Sequence, residues 1–303
     1  MSGSLAGRSV ALTGATGFLG RYIARVLLAR GAHVIGVVRD PQRVPALVAA
    51  GVEMRRADLA EPAALRAAFE GAEIVISNAA LFSLDNQSWR DHLQTNVAGT
   101  ENVMHAARDA RVERVLHVSS VAVYRGHHGG LVAEDHPQHS ERSQRRRSTV
   151  YAISKAVSEQ RAWHIAARSA LRLTTVRPSM IFGAFDPNFT PWLRRIARLP
   201  IVPAMARLGF VYGGDVAEGI ALALERDDVS VGRAFNLSGD NATSWQVLRA
   251  FAHAEGRRWL RAPLPLPVSR LFDNTRAKTV LGWRPRALDE AARETLALEQ
   301  MLS

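Results

Sequence analysis

The run Ser9-Val-Ala-Leu-Thr13-Gly14-Ala-Thr16-Gly17-Phe18-Leu19-Gly20 decides the fold. Its first five residues are apolar enough for a buried strand, and from Phe18 to Ala29 apolar residues recur at helical spacing. Strand, glycine turn and helix therefore follow one another without a spacer. Glycines in such a turn let the backbone bend sharply and approach a pyrophosphate, while the helix start supplies unpaired amides and positive potential. Standing between this strand and this helix, the turn predicts a nucleotide site along Gly14, Thr16, Gly17, Phe18 and Leu19.

The same alternation continues outward from that run. Buried strands are expected at 33–38, 52–57, 73–77, 114–118 and 171–176, with helical stretches between them. Pro62 suits a first helical turn and Gly71 its end, and 89–110 and 150–170 read as the longest helices. Strands alternating with helices predict an α/β chain, a Rossmann doubly wound parallel sheet covered on both faces. After Arg177-Pro178 the alternation breaks, and Pro187, Pro191, Pro200 and Pro203 divide the chain into short pieces around a helix at 192–198. We expect a nucleotide-binding domain of residues 1–177, to which 213–238 returns with a helix and the strand Ala234–Leu237. A smaller C-terminal substrate lobe would comprise 178–212 and 239–303, with a proline-rich break at 263–267.

With 39 Lys plus Arg against 28 Asp plus Glu, the 303-residue chain carries a formal charge of +11. That balance favours an anionic ligand. The arginines are nevertheless spread along the chain, and the densest group, Arg142 with Arg145, Arg146 and Arg147, lies among Ser and Gln without aromatic interleaving. It reads as a solvated loop, and no nucleic-acid partner is expected. The chain has no cysteine, which removes disulfides, thiolate chemistry and Cys-ligated metal and fits a cytoplasmic protein. Neither a signal peptide nor an apolar run of about 18 residues is present, so neither secretion nor a membrane span is expected.

Only two of the 39 cations are lysines, Lys155 and Lys278. An ammonium is a compact charge whose pKa can move, whereas a guanidinium stays protonated. Lys155 stands four residues after Tyr151. A free tyrosine ionises near pH 10, and an ammonium about 4 Å away contributes about 4 kcal/mol at an effective dielectric of 20, enough to bring it towards neutrality. Ser119 and Ser120 follow the fifth strand at the carboxyl edge, where such sheets bind ligands. At the end of the second strand, Val38 occupies the place of a ribose-binding acid and Arg39 follows it, which favours NADP, with NAD as the alternative. Asp40 is free to cap the next helix, which opens on Pro41.

In order, Gly14-x-x-Gly17-x-x-Gly20, Asp58-Leu59, Asn78-Ala79-Ala80, Ser119-Ser120, Tyr151-x-x-x-Lys155 and Arg177-Pro178-Ser-Met-Ile-Phe-Gly183 resemble the extended short-chain dehydrogenase/reductase family. Asp215-Val-Ala-Glu-Gly, Phe235-Asn-Leu and Leu281-Gly-Trp283-Arg-Pro285 are similar to its C-terminal landmarks. The likeness implies Tyr151 as general acid/base, Lys155 on the nicotinamide ribose, and Ser120 orienting the reacting oxygen, three residues before Val123-Tyr124. It further implies Asp58 and Leu59 at the adenine, Asn78, Ala79 and Ala80 along the cofactor, and Pro178 beside the carboxamide. Asn96 matches a family asparagine on the helix beside the active site.

The expected activity is hydride transfer between nicotinamide and a carbonyl or secondary alcohol of a small molecule, in a homodimer. The strand end Val37-Val38-Arg39-Asp40-Pro41 resembles the reductase branch, dihydroflavonol reductases in particular, and 3β-hydroxysteroid dehydrogenases belong to the same family. The alternatives are a nucleotide-sugar epimerase with tightly held NAD and a protein that binds NADP without catalysis. Arg125 after Val-Tyr, the Arg-rich segment 127–148 and Tyr212-Gly213-Gly214 depart from the family on the substrate side. His127, His128, His136 and His139 crowd that segment, but no carboxylate spacing completes a metal site, and none is expected.

Overall fold

The computed structural model describes all residues except 1, 2, 44, 83–87, 127–129, 146–148, 206, 260, 267, 268 and 303. Seven strands form the central sheet: β1 (Ser9–Thr13), β2 (His33–Val38), β3 (Glu53–Arg56), β4 (Ile74–Ser77), β5 (Arg114–Val118), β6 (Arg172–Pro178) and β7 (Ala234–Leu237). Their order is β3-β2-β1-β4-β5-β6-β7, and every neighbouring pair is parallel. The chain crosses from one side of β1 to the other between β3 and β4. That reversal opens a crevice at the carboxyl ends of β1 and β4.

Alternate residues of each strand point to opposite faces, and the two faces bury different helices. Val10 and Leu12 of β1 pack with Ile23 and Leu27 of α1 (Phe18–Ala29). Val216 and Ile220 of the helix Gly213–Glu225 join the same core. Ala11 faces the other way, with Leu65 and Phe69 of the helix Pro62–Phe69, Val103 and Met104 of Gly99–Asp109, and Ala162 of Val150–Ala167. The result is a three-layer α/β sandwich. Pro62 occupies the first helical turn and Gly71 adopts a positive φ of 77° just past the helix end, both as their residue types predict.

Two elements differ in kind from the sequence expectation, and the helix expected at 192–198 lies at Phe189–Ile196. The stretch expected as one helix at 89–110 is built from Trp89–His92, a π-helical stretch Leu93–Ala98, and Gly99–Asp109. The proline-rich segment read as a break contains a strand, Ala262–Leu266, paired in parallel with Ile201–Met205. A sheet of only two strands leaves one edge of each unpaired, so the absent amide protons of its prolines can fall on an open side.

The C-terminal landmarks meet one another. Trp283 is fully buried and its Nε1 donates to the Asp215 carbonyl at 2.7 Å, while the Arg286 amide and guanidinium bind the Asp215 carboxylate. Tail and the helix Gly213–Glu225 are thereby fixed together. We predict that Trp283→Ala, which removes a buried indole and this hydrogen bond, lowers unfolding free energy by about 3–5 kcal/mol, read as a fall in the urea midpoint.

Candidate active site

Because all seven strands run the same way, the residues that follow them gather on one edge. Gly14 follows β1, Arg39 follows β2, Asn78 follows β4, Ser119 and Ser120 follow β5, Pro178 ends β6, and Asp58 lies two residues past β3. Helix Val150–Ala167 brings Tyr151 and Lys155 to the same edge, where Lys155 Nζ donates to the carbonyl of Val118, the last residue of β5, at 2.8 Å.

The glycine turn fits a dinucleotide pyrophosphate. Gly14 has φ of 69°, and a Cβ there would lie 2.9 Å from the Ala79 Cα, so only glycine lets the turn after β1 approach the turn after β4. A Cβ on Gly20 would collide with the Gly14 carbonyl oxygen. Gly17 caps α1 without a side-chain hydrogen bond, which leaves the first amides of this twelve-residue helix for an anion. Thr16 is anchored through its carbonyl, which accepts from Arg21 Nε at 3.1 Å, Phe18 is half-buried, and Leu19 is buried.

Thr13, which sequence reasoning did not single out, holds the two turns together. Its hydroxyl accepts from the amides of Asn78 and Ala79 at 3.0 and 3.1 Å and donates to the Ile76 carbonyl at 3.3 Å. Asn78 Nδ2 returns to the Thr13 carbonyl at 3.3 Å, and Ala80 beyond it is exposed. Asp58 Oδ1 accepts the Ala60 amide at 2.8 Å, and the Leu59 carbonyl accepts from Asn102 Nδ2 at 2.8 Å. Arg39 and Asp40 are both exposed, and Asp40 Oδ1 accepts the Gln42 amide at 3.1 Å, capping the turn Pro41–Arg43.

At the other end of the edge, Ser120 caps the short 3₁₀ turn Val121–Val123, its Oγ accepting the Ala122 amide at 3.1 Å. Ser120 stands at the Tyr151 phenol and works against the effect of its burial, whereas Ser119 is buried with its amide on the Val176 carbonyl at 2.8 Å. Two rings stand edge-on to the Tyr151 ring, Phe82 at 5.1 Å and His92 at 6.2 Å. Neither was expected, since nothing in their local sequence distinguishes them. The π-helical stretch turns Asn96 fully inward, where Oδ1 accepts the Leu81 amide at 2.7 Å and Nδ2 donates to Ser154 Oγ at 2.9 Å. Asn96 thus ties the chain leading to Phe82 to the helix of Tyr151.

The electrostatics correct one expectation. Burial pushes Tyr151 up to about 12, with only the Ser120 hydrogen bond pulling it down. Burial also pulls Lys155 down to about 8, against the opposing carboxylate of Glu159 one helical turn away. The burial of both groups outweighs the attraction expected between them: desolvation disfavours both charged forms, and the ammonium donates to the Val118 carbonyl.

The histidine-rich segment makes backbone contacts in its described part. His136 Nε2 lies 3.2 Å from the Arg125 carbonyl, and the His139 amide donates to the Val123 carbonyl at 2.8 Å. His127, His128, Arg146 and Arg147 lie outside the described residues. Arg142 and Arg145 are exposed, the latter over the Trp89 ring at 4.3 Å.

A parallel sheet with a glycine turn at its switch point and a Ser, Tyr and Lys group farther along the same edge defines an NAD(P)-dependent oxidoreductase of the extended short-chain dehydrogenase/reductase class. The chain belongs to the NAD-dependent epimerase/dehydratase family, which it matches over residues 10–238. Sterol demethylase protein B of Methylococcus capsulatus is 32% identical over 260 residues, 84% of this chain and 76% of that protein. The 4-hydroxy-2-methyl-3-oxo-4-farnesyl-3,4-dihydroquinoline-1-oxide ketoreductase of Stigmatella aurantiaca is 33% identical over 226 residues, 71% of this chain and 64% of that protein. Among solved structures, MoeE5 in complex with UDP-glucose and NAD superposes with a TM-score of 0.77 at 25% identity, covering 97% of this chain and all of that one.

Thr13→Val keeps the volume and removes the acceptor shared by two amides. We predict an NAD(P)H affinity about tenfold weaker, read by fluorescence titration with both reduced cofactors, together with a stability loss of about 1–3 kcal/mol.

Proposed function

We propose that this protein is an NADP-dependent reductase of an apolar carbonyl compound, with Tyr151 giving a proton to the substrate oxygen. The observation that carries this reading is the meeting of Tyr151 with Ser120 beside buried Lys155 at the carboxyl edge of the sheet. A bound nicotinamide would supply the hydride. Ser120 orients the substrate oxygen, Lys155 holds the nicotinamide ribose, and the exposed Arg39 takes the 2′-phosphate while Asp40 is engaged in capping. Asp58 and Leu59 serve the adenine, Ala79 with its neighbours Asn78 and Ala80 the cofactor backbone, and Pro178 the carboxamide. A tyrosine pushed up to about 12 keeps its proton at neutral pH, which suits an acid acting on a carbonyl.

Support for an apolar substrate comes from the part of the chain after Pro178, which we assign with 239–303 as the substrate lobe. It holds an apolar cavity of about 140 Å³ lined by Met180, Phe189, Trp192, Leu193, Ile196 and Leu208. A cavity of about 150 Å³ accommodates a benzene ring. Two relatives are named for a sterol and for a farnesyl-bearing 3-oxo compound. The likeness to a complex with UDP-glucose and NAD favours, as the second reading, an epimerase that retains its cofactor. We further assign a cytoplasmic homodimer packed through the helices Gly99–Asp109 and Val150–Ala167.

The deciding assay follows NADPH and NADH oxidation over a panel of aryl and alkyl ketones and 3-oxo esters. Turnover with NADPH is the expected result; purified protein that retains NAD and shows no net oxidation would favour the epimerase. Tyr151→Phe should keep less than about a hundredth of wild-type turnover. Arg39→Ala should weaken NADPH about tenfold to a hundredfold while leaving NADH nearly unchanged, as for a lost hydrogen bond to a charged group.

A further inference from the structure

Four residues outside the assigned site, three of them in sequence landmarks with no role yet, converge in one buried polar assembly. Arg177, beside Pro178, directs its guanidinium at Glu159: Nε lies 3.0 and 3.1 Å from the two carboxylate oxygens, and Nη2 binds Oε1 as well. Its Nη1 donates to the Tyr124 hydroxyl and to the Glu134 carbonyl, both at 2.8 Å. Tyr124 in turn donates to Asn236 Oδ1 at 2.6 Å. Arg177, Glu159, Tyr124 and Asn236 are all buried.

The positions of these residues give the assembly its meaning. Tyr151, Lys155 and Glu159 are spaced four residues apart on one helix and so share a face. Ser120 and Tyr124 flank the single 3₁₀ turn Val121–Val123, closed by the Tyr124 amide on the Val121 carbonyl at 3.3 Å. Arg177 therefore bonds at once to the helix that carries Tyr151 and Lys155 and to the turn that carries Ser120. We propose that Glu159 and Arg177 form a positioning brace that sets Lys155 and Tyr151 against Ser120. The inference rests on the roles assigned above to those three residues.

Stability alone does not account for such a pair, since a buried ion pair often gives no net stabilisation over apolar side chains of similar volume. Its effect falls on Lys155. Burial raises the Glu159 carboxyl, but the charge and hydrogen bonds of Arg177 outweigh burial and hold it below the usual range, so it stays ionised one turn from the ammonium. The other charged or titratable groups around this helix act less directly. His117 on β5 is kept neutral by burial and by Lys155, and His92 on Trp89–His92 faces Tyr151. Glu101 on Gly99–Asp109 pairs at 3.8 Å with the half-exposed Arg161.

The chain's two lysines make the test direct. In protein labelled with ¹³C at lysine Cε, Lys155 and Lys278 give two signals, assigned by Lys278→Arg, and Lys278, in an ion pair with Asp240, is the internal reference. The wild-type Lys155 signal is expected to titrate near pH 8. In the double variant Glu159→Leu/Arg177→Met, chosen to keep an apolar fill, the melting temperature should be retained while the Lys155 midpoint falls by about one pH unit, a tenfold loss of proton affinity, and NADPH binding weakens at pH 8. A folded double variant whose Lys155 midpoint and NADPH affinity match wild type would overturn the proposal. Should the double variant not fold, Glu159→Gln is read in the same way. If that variant also failed to fold, the pair would be a requirement of folding and the positioning role would be refuted. The titration needs no substrate, so it stands or falls separately from the reductase assay.

Discussion

The contact between Gly20 and the Gly14 carbonyl is the constraint from which the rest of this molecule follows. No side chain fits between them, so α1 lies directly on the turn that precedes it. In that position α1 buries Ile23 and Leu27 against the sheet and the helix Gly213–Glu225, and its uncapped start faces the crevice between β1 and β4. The Thr13 hydroxyl completes the arrangement by drawing the turn after β4 onto the turn after β1. The candidate nucleotide cradle is therefore a property of packing before it is a property of any charged group.

What could be read in the sequence is what local pattern controls. The strands His33–Val38, Arg114–Val118 and Ala234–Leu237 are short, mainly apolar runs, and each forms with the bounds its pattern suggests. The strand ends then place the candidate site residues, because parallel strands share one carboxyl edge. The π-helical stretch was not legible, since Asn96 turns inward for partners 15 and 58 residues away, Leu81 and Ser154. Ala262–Leu266 was hidden for a similar reason: its prolines argue against a strand, and its partner Ile201–Met205 lies some sixty residues earlier. Phe82 and His92 have no motif, and only the folded chain brings their rings to Tyr151.

The ionisation of Tyr151 depends on more than its distance to a cation. A pairwise estimate takes the distance between two charges and omits what each loses on leaving water. Desolvation acts on both partners and in opposite senses, raising the phenol and lowering the ammonium. Both groups are driven towards their neutral forms, and the carboxylate of Glu159 is what opposes this for the lysine.

That balance also accounts for a lysine in a chain that otherwise relies on arginine. Buried Arg114 spreads its guanidinium over the carbonyls of Leu224 and Ala223 and the hydroxyls of Ser230 and Thr174, a planar donor matched to several acceptors. Position 155 has a different geometry: its side chain meets the Val118 carbonyl at the end of a strand, in the same buried layer as the Glu159 and Arg177 pair. A guanidinium there would bring more donors than that carbonyl can accept, with its charge fixed. An ammonium needs less room, and burial can bring its pKa close to neutrality. The choice of lysine at position 155 is thus set by the geometry and burial of the sheet edge.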